Sequence, residues 1–156
     1  MSKRTMPIVA LAAALAVAAP VAYASVSSQA RPAVTSFTLY SHQSKLSLVD
    51  VDGNRKPSPG DLAISTYIDY DHQGGQVIGT GTAVCTVVRL SSLLLECTSS
   101  DALRDGDLFE ACTQTTSLVC TVTGGTGAYR FSHGEALAKA DRHGKNLLTT
   151  FTLTGA

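Results

Sequence analysis

Thr121-Val-Thr-Gly-Gly-Thr-Gly-Ala-Tyr-Arg-Phe-Ser-His-Gly-Glu-Ala-Leu-Ala-Lys-Ala140 decides how the rest of the chain is read. An alternating strand runs into a Gly124-Gly125-Thr126-Gly127 turn, and the next strand carries a small residue at every second position. Gly134, Ala136, Ala138 and Ala140 share one face of that strand, opposite Glu135, Leu137, Lys139 and Asp141. A face of such small side chains leaves room either for a ligand or for large residues from facing strands.

Outward from this segment the pattern is strand after strand. Ser36–Ser41, Lys45–Val51, Asp61–Tyr70, Gln76–Val88, Leu93–Thr98, Asp107–Thr113, Leu118–Thr123, Tyr129–Ala140 and Leu147–Thr154 are rich in Val, Ile, Leu, Thr and Tyr. Turn chemistry separates them at Asp52-Gly53-Asn54, Pro57-Ser58-Pro59-Gly60, Asp71–Gly75, Asp105-Gly106 and His143-Gly144. No stretch holds an apolar stripe of helical period for three turns. Eight or nine short strands with hairpin turns give an all-β sandwich or a closed antiparallel barrel. Gly79 and Gly81, two apart within one long strand, permit the sharp curvature that closure demands and favour the barrel.

The N-terminus reads as a removable address. Lys3 and Arg4 precede an apolar run over Ile8–Ala19, and Ala22-Tyr23-Ala24 supplies small residues for cleavage before Ser25. Residues 1–24 are therefore expected to be a signal peptide, 25–34 a flexible lead-in, and 35–156 one barrel domain. The expected destination is secreted, extracellular and, once the leader is removed, free of the membrane. Removing 24 of the 156 residues leaves 132, enough for one respectable core. That part carries 10 basic and 12 acidic side chains, a net of −2, scattered and without a basic stripe, so no nucleic-acid partner is expected.

Cys85, Cys97, Cys112 and Cys120 are even in number in a chain with an export signal, so two disulfides are expected. Cys85 and Cys97 flank a hairpin turn near Leu90-Ser91, and Cys112 and Cys120 flank one near Thr115-Thr116. The preferred pairing is Cys85–Cys97 with Cys112–Cys120; Cys97–Cys112, around the Asp101–Asp107 turn, is the geometric alternative. No C-x-x-C occurs, which disfavours a zinc site.

The ordered set of motifs resembles the allene oxide cyclase-like and dirigent-like barrels. Pro59-Gly60-Asp61-Leu62 before a strand, Gly79-Thr80-Gly81-Thr82-Ala83-Val84-Cys85, the Gly-Gly-Thr-Gly turn and Phe151-Thr152-Leu153-Thr154-Gly155 follow one another as they do there. The resemblance implies a single eight-stranded antiparallel β-barrel, commonly a dimer or trimer. It implies an apolar cavity that steers ring closure or coupling of a small hydrophobic molecule, with no metal or organic cofactor. Tyr67 falls at a polar cavity position of the cyclases, Cys85 coincides with another, and His133 stands where an Arg is usual. The acid of the families' first strand has no clear counterpart; Ser41 or His42 falls nearest.

The residues that could carry chemistry are few. His133, beside the most family-like turn, titrates near neutral pH, and Arg130 can pair with an anionic group; exposure at a strand end is the bland reading of both. Tyr67 and Asp69 share the face opposite Leu62, Ile64 and Ile68. If those three form the core, the arrangement this pattern favours, Tyr67 and Asp69 lie at the surface. If they pack against partner subunits, both point into the barrel, where a buried Asp would have a raised pKa. Gly79, Gly81, Ala136 and Ala138 are the expected ligand-binding positions. Asp50-Val51-Asp52-Gly53-Asn54 has oxygens spaced as in a calcium loop but lacks its Gly and its final Glu, and reads as a turn. The expected function is a ligand-binding barrel acting as a cofactor-free cyclase, isomerase or dirigent-type protein. The alternative is a non-catalytic secreted or cell-envelope barrel, structural or interacting.

Overall fold

A computed structural model describes residues 34–141 and 145–155. The expected signal peptide, all but the last residue of the lead-in, and the His143-Gly144 turn lie outside the described residues. Eight strands, β1 (Val34–Val49), β2 (Leu62–Tyr70), β3 (Val77–Arg89), β4 (Leu94–Leu103), β5 (Gly106–Gln114), β6 (Leu118–Gly125), β7 (His133–Ala140) and β8 (Asn146–Thr154), each pair antiparallel with the next. β8 pairs back onto β1, so the sheet closes into a barrel with no free edge.

Three boundaries differ most from the sequence reading. The first is β4, expected to end at Thr98, which runs on to Leu103 and takes Asp101 out of the expected Asp101–Asp107 turn into the strand. Ser36–Ser41 and Lys45–Val51 are not separate strands: β1 runs through both and absorbs one extra residue as a bulge between Gln43 and Lys45. Such a bulge bends a strand without ending it, which is how one strand follows a curved wall. The strand expected from Tyr129 begins at His133 instead. Gly127–Tyr129 form a short 3-10 turn, entered through Gly127 at φ 54°, a conformation that costs other residues a steric clash. Tyr129 is thereby freed to pack against the core.

One end of the barrel is filled. Leu39, Leu108, Val122, Phe151 and Leu153 are fully buried there, and Phe37 stacks on Phe151 with ring centroids 4.9 Å apart. Burial of each such side chain stabilises by about 1.5–3 kcal/mol, before entropy is counted. Ala136 belongs to this packed end, lying against Phe151 in the β7–β8 register. Its small size is taken up by a large neighbour, the second of the two uses open to a small-residue face.

The preferred disulfide pairing holds. Cys85 is bonded to Cys97 and Cys112 to Cys120, each pair directly opposite across neighbouring strands with Cα atoms 3.9 Å apart. Cys97 and Cys112 are also register partners on β4 and β5, so the alternative was blocked by competition and not by distance. The loop before β2 is organised by its own acids. Asp50 accepts the Gly53 and Arg55 amides, and Asp61 accepts those of Val51 and Ser58. This is turn chemistry, as the sequence suggested.

Candidate functional site: an acid-floored cavity in the open half of the barrel

Strand alternation fixes which residues face inward, and register fixes what they meet. On β2 the inward face is Ala63, Ser65, Tyr67 and Asp69, while Leu62, Ile64 and Ile68 point outward. The expected surface placement of Tyr67 and Asp69 is therefore reversed: Asp69 is 0% exposed and Tyr67 lines a cavity. The apolar outer face of β2 misled the reading, because a barrel wall one strand thick has two faces on which such residues can lie.

The cavity has a volume of about 310 Å³, at the lower end of the range for small-molecule pockets. It reaches the β5–β6 turn at Thr116 and Ser117, and descends toward the packed end. Leu95, Leu118, Leu147, Ala63 and Ala138 give its wall apolar surface beside both disulfides, with Gln43 and Gln114 also in the lining. All four cysteines face inward along consecutive strands β3 to β6, so the sulfurs form part of the wall.

The floor is acidic. Asp101 on β4 and Glu110 on β5 line it, with Asp69 fully buried close by. Ser99 lies opposite Glu110 in the register and donates its hydroxyl to Glu110 Oε2 at 2.5 Å. Glu110 Oε1 and both Asp69 carboxylate oxygens receive no N–H or hydroxyl, and the Asp101 and Glu110 carboxyls hydrogen-bond to each other once Asp101 holds its proton. Gly81 sits between Tyr67 and Asp101 across the strands. A Cβ there would stand 2.5 Å from Asp101 Oδ1, so the glycine lets Asp101 keep its present position, while Asp69 Oδ2 at 3.4 Å would be in ordinary contact. Gly79 has a different use: its missing Cβ makes way for the Ala102 carbonyl, a packing matter.

Burial raises the Asp69 pKa, and its cross-strand neighbour Ser41 reverses part of that rise. Asp101 is pushed well above its ordinary range, first by desolvation and then by the charges of Glu110 and Asp69. Glu110 is raised by burial against the lowering effect of Ser99 and Asp101. Three carboxyls that repel one another in a dry floor hold protons at pH values where exposed acids have lost theirs. No countercharge relieves them, for every described Lys, Arg and His side chain is exposed. The three acids do not gather into a metal-chelating group either. Among the described residues, donor atoms within 4.8 Å of one another occur at Asp50–Asp52–Asp61 and at Glu110–Cys112–Cys120, where the cysteines are bonded to each other.

Arg130 and His133 stand apart from this site. Arg130 is exposed at the packed end with its guanidinium 5.5 Å from the Phe131 ring, and His133 is exposed with Nδ1 3.2 Å from the Phe131 carbonyl. Of the expected residues the structure brings together Tyr67, Asp69, Gly81 and Ala138; Arg130, His133, Gly79 and Ala136 lie elsewhere. Asp101 and Glu110 were missed, yet a signal was present. Cys97-x-Ser99-x-Asp101 and Leu108-x-Glu110-x-Cys112 each put an acid on the face marked as inward by a disulfide cysteine.

The fold is that of the dirigent-like and cyclase-type eight-stranded barrels. A solved structure of a pyocyanin demethylase superposes with a TM-score of 0.66 at 20% identity, covering 76% of this chain and 99% of that one. The pterocarpan synthase dirigent protein PsPTS1 superposes with a TM-score of 0.60 at 18% identity, covering 80% and 95%. The exo-specific intermolecular Diels-Alderase AbnU gives 0.60 at 14%, covering 79% and 99%. No protein-family model matches the sequence, and no curated protein matches it significantly.

Proposed function

We propose that this chain is a cofactor-free barrel that binds a small, largely apolar molecule and directs its ring closure by proton transfer at the cavity floor. The observation that carries this reading is the pair Asp101–Glu110, raised in pKa and facing an open cavity with no countercharge. The kinship in fold with a dirigent protein and a Diels-Alderase supports it. A carboxylic acid of the pair donates its proton to an oxygen of the bound molecule, which makes the adjacent carbon electrophilic. An internal hydroxyl or enol attacks that carbon, a ring bond forms, and the nucleophile's proton returns to the carboxylate. Reactant and product are then isomers, and no oxidant or reductant is consumed. Burial first, and then the neighbouring acids, keep the pair protonated, and Tyr67, one strand beyond Gly81 from Asp101, orients the substrate.

Export completes the reading. The leader over residues 1–24 and two disulfides suit an oxidising compartment outside the cytoplasm. Among the described residues no helix is long and apolar enough to cross a membrane.

Native mass spectrometry of protein taken from its secreting host, before and after organic extraction, tests the proposal. An added small mass that extraction removes is the expected result. A bare protein that stays bare after soaking with phenolics and fatty-acid epoxides would move the assignment to a non-catalytic barrel.

A further inference from the structure

Resting on the ligand-binding reading above, we infer that the molecule this cavity takes is a nitrogen base, cationic at neutral pH, with an apolar ring body and an N–H directed at Glu110 and Asp101. The argument begins with what the floor lacks. Glu110 is 7% exposed, lines the cavity, and has no N–H or hydroxyl beside Oε1. Asp69 is wholly buried with both oxygens unpartnered. Buried polar atoms are nearly always satisfied in folded proteins, so a group of this kind in a cavity points to a partner that arrives from outside.

The sign of that partner follows from the surroundings. Ser41, Gln43, Ser65, Tyr67, Ser99 and Thr149 are among the polar side chains that line the cavity with the acids, and its whole lining holds no Lys, Arg or His. An anionic group on a ligand would meet three acids and no base. A neutral group without an N–H would leave Glu110 Oε1 without a donor. A protonated nitrogen supplies that donor as a charge-assisted hydrogen bond and compensates whichever carboxyl of the pair has given up its proton, in a cavity that holds no basic side chain. Above the floor, the disulfides, Leu95, Leu118 and Leu147 offer apolar surface to the remainder of the molecule. The occupant is thus amphipathic end to end, a flat or compact ring system with its basic nitrogen leading.

Three acridines of nearly equal shape separate the cases: 9-aminoacridine, a cation at neutral pH; acridine, neutral; and acridine-9-carboxylate, an anion. Each is titrated by fluorescence into the full-length chain with both disulfides formed. The cation is expected to bind tighter than acridine by on the order of tenfold to a hundredfold, and the anion weakest. In Glu110→Gln and Asp101→Asn this preference is expected to shrink to within about threefold while acridine binding persists, which marks lost charge recognition and not lost structure. Where a variant does not fold, the series on the unaltered protein decides alone. Equal binding of cation and neutral, or tightest binding of the anion, overturns the inference and leaves the ligand-binding barrel standing. Binding by none of the three overturns both.

Discussion

Ser99 and Glu110 lie directly opposite each other on β4 and β5, and the serine hydroxyl donates to Oε2, while Oε1 is buried with no hydroxyl or N–H beside it. One oxygen is held, the other is not. A fixed carboxyl with a free lone pair is the geometry that proton transfer requires. Ser99→Ala is expected to lower turnover of the native reaction, once its substrate is known, by about tenfold or more while changing stability by only about 1 kcal/mol. Steady-state kinetics beside urea unfolding would check it; equal losses in both would remove Ser99 from the site.

The raised acids fix the direction in which stability depends on pH. Asp69, Asp101 and Glu110 bind protons more tightly folded than unfolded, so the folded state holds more protons once pH exceeds the ordinary values of 3.8 and 4.5. Stability therefore falls as pH rises from there, by up to about 1.4 kcal/mol per pH unit for each group, and levels off above the raised values. Asp69→Asn should flatten part of that slope and stabilise the protein more near pH 8 than near pH 4. Urea midpoints across this range give the answer; a wild-type stability that climbs with pH would refute the ordering.

Gly79 and Gly81 predict opposite phenotypes. A Cβ at Gly79 would press on the backbone carbonyl of Ala102, which cannot rotate away, so Gly79→Ala should cost about 1–3 kcal/mol of stability. At Gly81 the obstacle is the Asp101 side chain, which can swing into the cavity. Gly81→Ala should therefore spare the fold and impair ligand binding. Thermal unfolding paired with ligand titration distinguishes the two.

The two alanines of β7 make a similar pair. Ala138 is 3% exposed and lines the cavity, so Ala138→Phe should fill it and abolish binding with a modest change in stability. Ala136 packs against Phe151, and Ala136→Leu should overpack the closed end at a cost of about 1–3 kcal/mol. Replacing Arg130 and His133 by alanine should alter stability by no more than about 0.5 kcal/mol and leave binding intact, since both are exposed and remote from the floor.

The sequence displayed the barrel through local signals: alternation, turn residues and cysteines flanking hairpins. These are properties of neighbouring residues, so they survive without tertiary knowledge. The inside of the barrel was harder to read. Leu62, Ile64 and Ile68 form an outward apolar row, and Tyr67 with Asp69 form an inward polar one, the inverse of what alternation usually reports. Hydrophobicity alone names the two faces of a strand without saying which is which. Cysteine does better, because a cross-strand disulfide inside a narrow barrel marks the inner face, and reading outward from Cys97 and Cys112 leads to Asp101 and Glu110. The bulge in β1 was invisible for another reason: Gln43 and Ser44 resemble a turn to any composition rule.

The four cysteines stitch β3 to β4 and β5 to β6, whereas β1, β2, β7 and β8 carry no covalent cross-link. The vessel is thus stiff on one side and compliant on the other. Any widening that admits a molecule falls to the unstitched strands, at Leu46, Ala63, Ala140 and Leu147, while Asp101 and Glu110 stay anchored to the rigid side. Descendants of this chain can change what enters by altering one flank, without disturbing the acids that meet it.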